Sequence, residues 1–416
     1  MFLEPHAPHR ILLLPHRHSA RPVLHAPLYL DTREAVERFL SSHAAVREIA
    51  VDTEGASFHR FVDRIYLLQV STPSATAIID PLPIGVPSRL GEMLEDPAVE
   101  VVFHDADYDL RLLHRDYGWH VRNIFDTRVA AQLLGIKAFG LAALLERYFG
   151  VKLDKKHQRA DWSTRPLTAD MREYAALDTM YLLEPRARMR DELIRLGRWE
   201  WAREEFARLE GLRWDDDDSV DAYLRIKGAR DLTRRELALF RELVRWRDGV
   251  ARALDRATFR VAGNELLLEL ARSAPRTADD LAKARGMPRG LVERHGHDVL
   301  DAISRGMAVP ENELPRFPRA PRWERDPEFD ERAAALKAVR DAAAQRLDLD
   351  PGVLCPRDRL EAIARRKPTT LAELAEVKEL RRWQMEEMGE EMLRAVWRAA
   401  TRDQGQGAGD GLGAAR

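Results

Sequence analysis

The sequence predicts an α/β domain in the first half of the chain, followed by domains built only of helices. Three observations predict this division. Short β-branched segments bounded by turn-forming residues are confined to the first part of the chain. After residue 103 the apolar residues recur at helical spacing, and beyond residue 215 only helical patterns remain. Strands followed by helices, with a further strand among them, are typical of an α/β layer domain.

The predicted elements of the α/β domain follow one another closely. A short amphipathic helix is expected over 32–41. Segments rich in β-branched residues then predict strands at 48–52, 64–70, 76–80 and 99–103. Helical spacing follows at 106–113, 126–134, 141–148, 169–183 and 195–213. The α/β domain is therefore expected to occupy residues 26–212.

Composition indicates a protein of several compact domains. A chain of 416 residues suggests about two to four of them. Its hydrophobic fraction of 45%, with 33% charged residues, is normal for a soluble globular protein. No apolar run approaches the roughly 18 residues that span a bilayer. We therefore expect a cytoplasmic protein that makes no membrane contact.

Cysteine and charge content limit the kinds of site. The single cysteine, Cys355, excludes an internal disulfide and a cysteine-based zinc site. A net charge of −2 gives no overall attraction to nucleic acid, so any such binding must come from local patches.

Composition also marks the domain ends. Residues 1–25 hold five histidines among prolines without periodicity and are expected to form a flexible leader. A run of four aspartates predicts a solvated linker over 213–232. Helical patterns fill 233–312 and 326–400, and the glycine-rich residues 401–416 are expected to be disordered.

Two segments carry candidate catalytic residues in pairs. Asp52 and Glu54 flank Thr53 at the end of a predicted strand, and strand alternation sends both carboxylates to the same side of the sheet. This triplet alone is a weak signal in a chain with 69 acidic residues. Tyr174 and Asp178 project from one face of a predicted helix, although an isolated pair of this kind is more often an ordinary surface feature.

Asp109 is a further candidate. Leu112 and Leu113 lie three and four residues along the predicted helix, and therefore on the face of Asp109. A carboxylate on an inward face needs a partner. We expect Asp105 or Asp107 to cap this helix. The alternative, in which Asp109 is a solvated neighbour of the cap, fits the flanking leucines poorly.

Together Asp52, Glu54, Asp109 and Asp178 form a set of hard oxygen ligands delivered from a strand and two helices. Such ligands suit Mg²⁺ or Mn²⁺. In phosphodiester hydrolysis, two such ions about 3.5–4 Å apart can activate the attacking water and neutralise the leaving oxygen. The set therefore predicts a site for two divalent metal ions that serves phosphodiester chemistry.

The order of these residues resembles the three exonuclease motifs of the DEDD superfamily, in its tyrosine-bearing branch. The surrounding segments narrow the resemblance to the ribonuclease D family through essentially the whole domain. They are Phe125-Asp126-Thr127, Ala-Ala-Gln-Leu-Leu at 130–134, Gly-Leu-Ala at 140–142, and the stretch 153–167. The family implies a ribonuclease-H-like fold, in which helices flank a mixed sheet.

The resemblance also implies roles and an activity. Asp52, Glu54 and Asp178 would hold the ion that binds the nucleophilic water, Asp52 and Asp109 would hold the second ion, and Tyr174 would orient the water. The implied activity is 3′-to-5′ exoribonucleolysis that releases nucleoside 5′-monophosphates from single-stranded RNA 3′ ends, with tRNA precursors as expected substrates and a monomer as the expected state. Two alternatives stay open: a DNA exonuclease, and a non-catalytic nucleic-acid-binding protein, against which the intact carboxylate set argues.

Residues beside the motifs are candidates for substrate binding, namely Thr53, His104, Trp162 and Arg165. Asp161 belongs to the same neighbourhood. Ordinary structural uses are equally open for several of them: a hydrogen bond at a strand end, a loop cap, and a packed aromatic ring with its cation.

The region from residue 222 to about 306 resembles the HRDC domain in its ribonuclease D version, a small helical module shared with some helicases. Residues 234–305 hold 15 lysines and arginines against 11 acidic residues, a local surplus that could contact phosphates. A solvated, charged helix face explains the surplus equally well. The second helical region is a fainter match, and a Pro-x-Thr-x-x-x-Leu pattern in both predicts a repeat with a period of roughly 90 residues.

Overall fold

The computed structural model describes residues 26–153, 156–215, 222–318 and 326–401. The predicted leader and the predicted tail beyond residue 401 lie outside the described residues. Within those residues an α/β domain is followed by two helical domains. A search of the same residues finds no helix with both the length and the apolar character needed to cross a membrane.

The α/β domain is organised around one mixed six-stranded sheet. Its strands are β1 (Leu28–Leu30), β2 (Glu48–Glu54), β3 (Leu67–Ser71), β4 (Thr76–Ile79), β5 (Glu100–Phe103) and β6 (Ile124–Asp126). They lie side by side in the order β1-β4-β3-β2-β5-β6. β3 runs antiparallel to β2 and β4, and the other neighbours are parallel. β2 therefore lies inside the sheet, between β3 and β5.

Helices cover both faces of this sheet. They are α1 (Arg33–Ser42), α2 (Pro81–Ile84), α3 (Ser88–Glu95), α4 (Asp107–Tyr117), α5 (Thr127–Leu133), α6 (Leu141–Phe149), α7 (Ala169–Met180), α8 (Leu183–Arg195) and α9 (Trp199–Leu209). Apolar residues of α1, α3 and α4 pack with Ile49 and Val51 of β2 on one face. α7 packs across β2, β3 and β4 on the other face, where Ala175, Leu67 and Ile78 belong to one hydrophobic cluster.

The predicted elements are largely confirmed, with shifted ends. β3 begins three residues later than the predicted strand at 64–70. β1 and β6 were not predicted as strands, because three residues are too few to display an alternating pattern. The helix predicted over 169–183 ends at Met180, and a second helix begins at Leu183.

The first helical domain has a hydrophobic core of its own. Its helices are α10 (Arg234–Ala253), α11 (Thr258–Val261), α12 (Asn264–Ser273), α13 (Ala278–Lys283) and α14 (Arg289–Ala308). Residues 222–232, which the sequence places in a linker, contain two short 3-10 helices. Tyr223 and Leu232 are buried in the domain core. The packed domain therefore begins before the expected boundary at residue 233, because these apolar side chains belong to its core.

The second helical domain shares a hydrophobic core with the α/β domain. Its helices are α15 (Phe329–Leu347), α16 (Pro351–Leu354), α17 (Arg357–Arg366), α18 (Leu371–Ala375) and α19 (Arg382–Thr401). Trp201 of α9 stacks on Trp383 of α19, with ring centroids 4.8 Å apart. The Glu204 carboxylate accepts hydrogen bonds from the backbone N–H groups of Arg382 and Trp383, at 2.7 and 3.2 Å. An α/β side chain thus caps the first turn of α19.

The predicted repeat is visible in the matching helix starts of the two helical domains. Thr277 caps α13 by accepting a hydrogen bond from the backbone N–H of Asp280, at 3.1 Å. Thr370 caps α18 in the same way, with Glu373 as the donor at 3.2 Å. The threonine of the shared pattern therefore caps the start of a helix in both domains.

Candidate active site

Three carboxylates converge between the sheet and α7. Because Ile49 and Val51 pack on the opposite face, strand alternation directs Asp52 and Glu54 of β2 towards α7. Asp178 lies on α7 itself. Asp52, Glu54 and Asp178 each offer an oxygen, and these three oxygens lie within 4.8 Å of one another. The side chains are half-buried, so the cluster remains open to solvent on one side.

Asp109 approaches the site from the first turn of α4. It is buried, with only 6% of its surface exposed. Its Oδ1 accepts two hydrogen bonds from Thr53, one from the backbone N–H at 3.0 Å and one from the hydroxyl at 2.6 Å. Asp109 therefore has the partner that its inward face predicts, and this partner belongs to the strand that carries Asp52 and Glu54.

The expected cap of α4 is wrong. The N-cap residue is Ala106, and neither Asp105 nor Asp107 caps the helix with its side chain. Asp126, at the end of β6, accepts hydrogen bonds from the backbone N–H groups of Asp105 and Ala106, at 3.3 and 2.8 Å. The same carboxylate also accepts from Arg128 and so caps α5. A single aspartate therefore holds the starts of both helices.

The electrostatics of the cluster favour a bound cation. Burial, followed by the charges of Asp109 and Asp178, raises the pKa of Asp52 well above its usual range. Burial and then Asp178 do the same for the pKa of Glu54. Burial raises the pKa values of Asp109 and Asp178 to about 7. Partly desolvated carboxylates that repel one another fit divalent metal ions, whose charge stabilises all of the ionised forms together.

Tyr174 lies one helical turn before Asp178 on α7, so both side chains project from the same side. Its ring contacts the His157 ring edge-on, with centroids 5.7 Å apart, and lies 6.2 Å from the Trp162 ring. Ala175 and Ala176 of the same helix are buried against the sheet. The structure thus brings the tyrosine of the third motif to the same side of α7 as Asp178.

The candidate substrate-binding residues all have partners within the protein. The Thr53 hydroxyl donates to Asp109, as described above. The His104 Nδ1 lies 2.9 Å from the Thr127 Oγ1, and burial lowers the His104 pKa to about 4, which leaves the ring neutral. Trp162 is buried beside α7. A contact of these residues with substrate stays a prediction.

Arg165 makes several hydrogen bonds within the protein. Its guanidinium donates to Asp80 at 2.9 Å and to the backbone carbonyls of Tyr66 and Trp162, at 2.8 and 2.7 Å. Asp161, a few residues earlier, accepts from the backbone N–H of Ser163 at 3.1 Å. Arg165 therefore ties the loop before α7 to the sheet, and its contact with substrate likewise stays a prediction.

Gln69 was missed by the sequence reasoning. It lies directly opposite Asp52 in the antiparallel pairing of β2 and β3, so the two side chains share one face of the sheet. Gln69 is fully buried, and among the described residues neither end of its amide has a hydrogen-bond partner. Only the register between β2 and β3 could have identified this neighbour of Asp52. The sequence of either strand alone does not show how the two strands pair.

The mixed sheet whose inner strand delivers an Asp-x-Glu pair to the carboxylate cluster belongs to a 3′-5′ exonuclease domain. The family model described as 3′-5′ exonuclease matches residues 27–194, and the HRDC domain model matches twice, at 236–303 and 329–396. The fainter resemblance of the second helical region is therefore confirmed.

Relatives of known name agree with this class. Ribonuclease D of Acidiphilium cryptum is 32% identical over 309 residues, which cover 74% of this chain and 79% of the relative. Ribonuclease D of Granulibacter bethesdensis is 31% identical over 348 residues, which cover 83% of this chain and 86% of the relative. The crystal structure of Escherichia coli RNase D superimposes on this chain with a TM-score of 0.69 and 26% sequence identity. The match covers 90% of this chain and 99% of the Escherichia coli chain. The chain belongs to the ribonuclease D family and is a 3′-to-5′ exoribonuclease.

Proposed function

We propose that Asp52, Glu54, Asp109 and Asp178 hold two divalent ions, Mg²⁺ or Mn²⁺, and that Tyr174 orients the water that attacks the terminal phosphodiester of RNA. Nucleoside 5′-monophosphates then leave one at a time from the 3′ end. The observation that carries this proposal is the convergence of three carboxylate oxygens within 4.8 Å. Hard oxygen ligands at this spacing suit both cations.

The residues of the chain bind the ions and position the attacking water. The ions, when bound, lower the pKa of that water and neutralise the charge that develops on the leaving oxygen. Thr53 fixes one oxygen of Asp109, which leaves the other oxygen available as a ligand. Asp178 and Tyr174 lie one turn apart on α7, so the helix sets the distance between a ligand and the hydroxyl that holds the water.

We propose structured RNAs with single-stranded 3′ ends as the natural substrates, tRNA precursors among them. The related Escherichia coli enzyme is described as an exoribonuclease involved in structured RNA processing, which supports this choice. We further propose that the protein acts as a monomer, because one chain supplies all of the carboxylates of the site.

The test uses matched 5′-labelled RNA and DNA oligonucleotides in Mg²⁺, in Mn²⁺ and in EDTA. The RNA is expected to shorten as a ladder from its 3′ end in either cation and to stay intact in EDTA. A 3′-terminal phosphate is expected to inhibit shortening, because it adds charge where the free hydroxyl belongs. Cleavage of circular RNA at the rate of linear RNA would exclude an exonuclease, and faster shortening of DNA would reverse the choice of substrate.

A further inference from the structure

Two exposed phenylalanines from different domains meet beside the candidate active site. Phe58 lies in the loop that follows β2, and Phe259 lies on α11 of the first helical domain. Fractions of 42% and 52% of their surfaces remain exposed. Their ring centroids are 5.6 Å apart, at an interplanar angle of 72°. Neither ring is therefore hidden by the other.

Three arginines lie against the aromatic rings of this region, and one of them, Arg260, lies 5.9 Å from the centre of the Phe259 ring. The Arg159 guanidinium lies 4.9 Å from the centre of the Phe58 ring, and that of Arg252 lies 5.2 Å from the centre of the Phe61 ring. In the part of the chain that the structure describes, neither Arg159 nor Arg252 is among the residues that pair with a carboxylate within 4.0 Å. Phe58, Phe259, Arg159 and Arg252 together are called the phenylalanine–arginine platform.

Hydrogen bonds between the domains fix the position of this platform. The backbone N–H of Ala257 donates to the carbonyl of His59 at 3.2 Å. The Arg260 Nε donates to the carbonyl of Phe58 at 2.6 Å. The turn between α10 and α11 is thus bonded to the loop after β2. Two aromatic side chains held exposed by a bonded interface are a feature typical of an interaction surface.

The platform is continuous with the wall of the candidate active site. Phe58 follows the proposed ligand Glu54 by four residues. Arg159, which lies over the Phe58 ring, is two residues from His157, whose ring contacts the Tyr174 ring. A strand of RNA that runs from the carboxylate cluster past His157 and Arg159 would therefore meet the platform.

We propose that the phenylalanine–arginine platform stacks a base of single-stranded RNA upstream of the 3′-terminal nucleotide, while its arginines contact the backbone phosphates. This inference rests on the proposed function, and it gives the first helical domain a part in holding the substrate. Exposed aromatic rings stack on any base, and neighbouring cations neutralise phosphates, so the platform suits single strands without selecting a sequence.

The first experiment measures RNA binding in EDTA, where the proposed reaction cannot proceed. A 5′-fluorescein-labelled adenosine 12-mer is titrated with the full-length protein, and its anisotropy is followed. Phe259→Ala is expected to weaken binding by about 5- to 100-fold, the range typical of one lost stacking contact. Phe259→Trp is expected to retain wild-type affinity, because it keeps an aromatic face. An unchanged dissociation constant for Phe259→Ala would overturn the proposal.

Met307→Ala is the matched control, because Met307 is also an exposed apolar residue of the first helical domain. Its carbonyl accepts a hydrogen bond from Arg235 near the start of α10, whereas Phe259 follows the end of that 20-residue helix. The ends of a helix of this length are roughly 30 Å apart, so the two residues lie near opposite ends of α10. Met307→Ala is expected to bind the 12-mer like the wild type, and equal weakening by both substitutions would count against a specific site.

The second experiment compares hydrolysis of the 12-mer with hydrolysis of a diribonucleotide in Mg²⁺. A diribonucleotide is too short to reach an upstream platform, so Phe259→Ala is expected to reduce kcat/KM at least 5-fold more for the 12-mer. Equal reductions for both substrates would mean that Phe259 only positions the loop after Glu54. If the wild type hydrolyses neither substrate, the proposed function fails, while the binding experiment still decides whether the platform exists.

The arginines are tested through salt dependence. Each phosphate contact on a single strand contributes about 0.7 to the slope of log affinity against log salt concentration. Arg252→Gln is therefore expected to reduce the slope for the 12-mer by about this amount. An unchanged slope would remove Arg252 from the platform and leave the stacking residues to be judged by the first experiment.

Discussion

Thr53 donates two hydrogen bonds to a single carboxylate oxygen of Asp109, from its backbone N–H at 3.0 Å and its hydroxyl at 2.6 Å. The two residues are 56 positions apart and belong to β2 and α4. Because Thr53 stands between Asp52 and Glu54, the strand that carries two proposed ligands also orients a third. The Asp-x-Glu triplet is therefore a structural unit in which the middle residue has a role of its own.

Thr53→Val is expected to lower activity or metal affinity by about 10- to 100-fold, the usual cost of losing a group that orients a metal ligand. The change keeps the shape of the side chain and removes the hydroxyl donor. Thr53→Ser restores the donor and is expected to retain most of the activity. Single-turnover rates measured across a Mg²⁺ titration separate a loss of metal affinity from a loss of activity at saturating Mg²⁺. Equal rates for the valine and serine variants at every Mg²⁺ concentration would contradict this role.

Asp52→Asn is expected to abolish hydrolysis and to stabilise the metal-free protein. Asp52 is the residue whose charge is opposed both by burial and by Asp109, Asp178 and Glu54. Removing that charge is expected to raise the free energy of unfolding in EDTA by about 1–2 kcal/mol. Exonuclease assays and thermal melts in EDTA measure both effects. Activity above a tenth of the wild-type rate would refute the ligand assignment.

The stability of the metal-free protein is expected to fall as the pH rises from about 4 to 7. Burial raises the pKa values of Asp109 and Asp178 to about 7 in the folded protein, whereas an aspartate in an unfolded chain titrates near 4. Within this window the folded state binds more protons than the unfolded state, so the free energy of unfolding decreases with pH. Thermal melts in EDTA from pH 4.5 to 8 measure this slope and its end above pH 7.

Saturating Mg²⁺ is expected to oppose this loss, because the ion binds ionised carboxylates and its affinity rises as they lose protons. The stabilisation by Mg²⁺ should therefore be larger at pH 8 than at pH 6. Asp178→Asn supplies the control, since it removes one of the groups with a raised pKa and should flatten the slope in EDTA. Stability curves that run parallel with and without Mg²⁺ would show that the ion does not bind these carboxylates.

The arrangement within single elements could be predicted from the sequence. Alternation along a strand places Asp52 and Glu54 on one side, and helical spacing places Tyr174 and Asp178 on one side, because both periodicities are fixed by the local backbone. Asp52, Glu54 and Asp178, which the structure brings together, were therefore named as candidates without knowledge of the sheet order. The three residues of β6 were not recognised as a strand, since they form one only by pairing with β5.

Relationships between distant elements could not be predicted. Asp126 caps α5 and also accepts hydrogen bonds from the two residues before α4, which depends on the end of β6 meeting the start of α4. The sequence could not show this contact and assigned the cap of α4 to Asp105 or Asp107 instead. The core shared by the second helical domain and the α/β domain is a similar case. An apolar helix stripe shows that a partner exists but does not identify it.

Gly135→Ala is expected to disturb the docking of the second helical domain. Gly135 has a φ of 74°, and a Cβ there would lie 2.4 Å from the carbonyl oxygen of Asp348 in that domain. The strained backbone and the clash together are expected to cost about 2–4 kcal/mol of unfolding free energy. Gly150→Ala has a similar φ of 66° with nothing within 4 Å, and should cost only about 1 kcal/mol. Equal losses in denaturant titrations would mean that the domains do not meet closely at Gly135.

Tyr174→Phe is expected to slow the chemical step while leaving RNA affinity nearly unchanged. The ring and its contacts with His157 and Trp162 remain, and only the hydroxyl that would hold the attacking water is lost. Groups that position or transfer a proton at a reacting atom contribute about 10²- to 10⁴-fold. Single-turnover hydrolysis of a 5′-labelled RNA measures the rate, and anisotropy in EDTA measures affinity. A phenylalanine variant that turns over at the wild-type rate would show that Tyr174 serves only for packing.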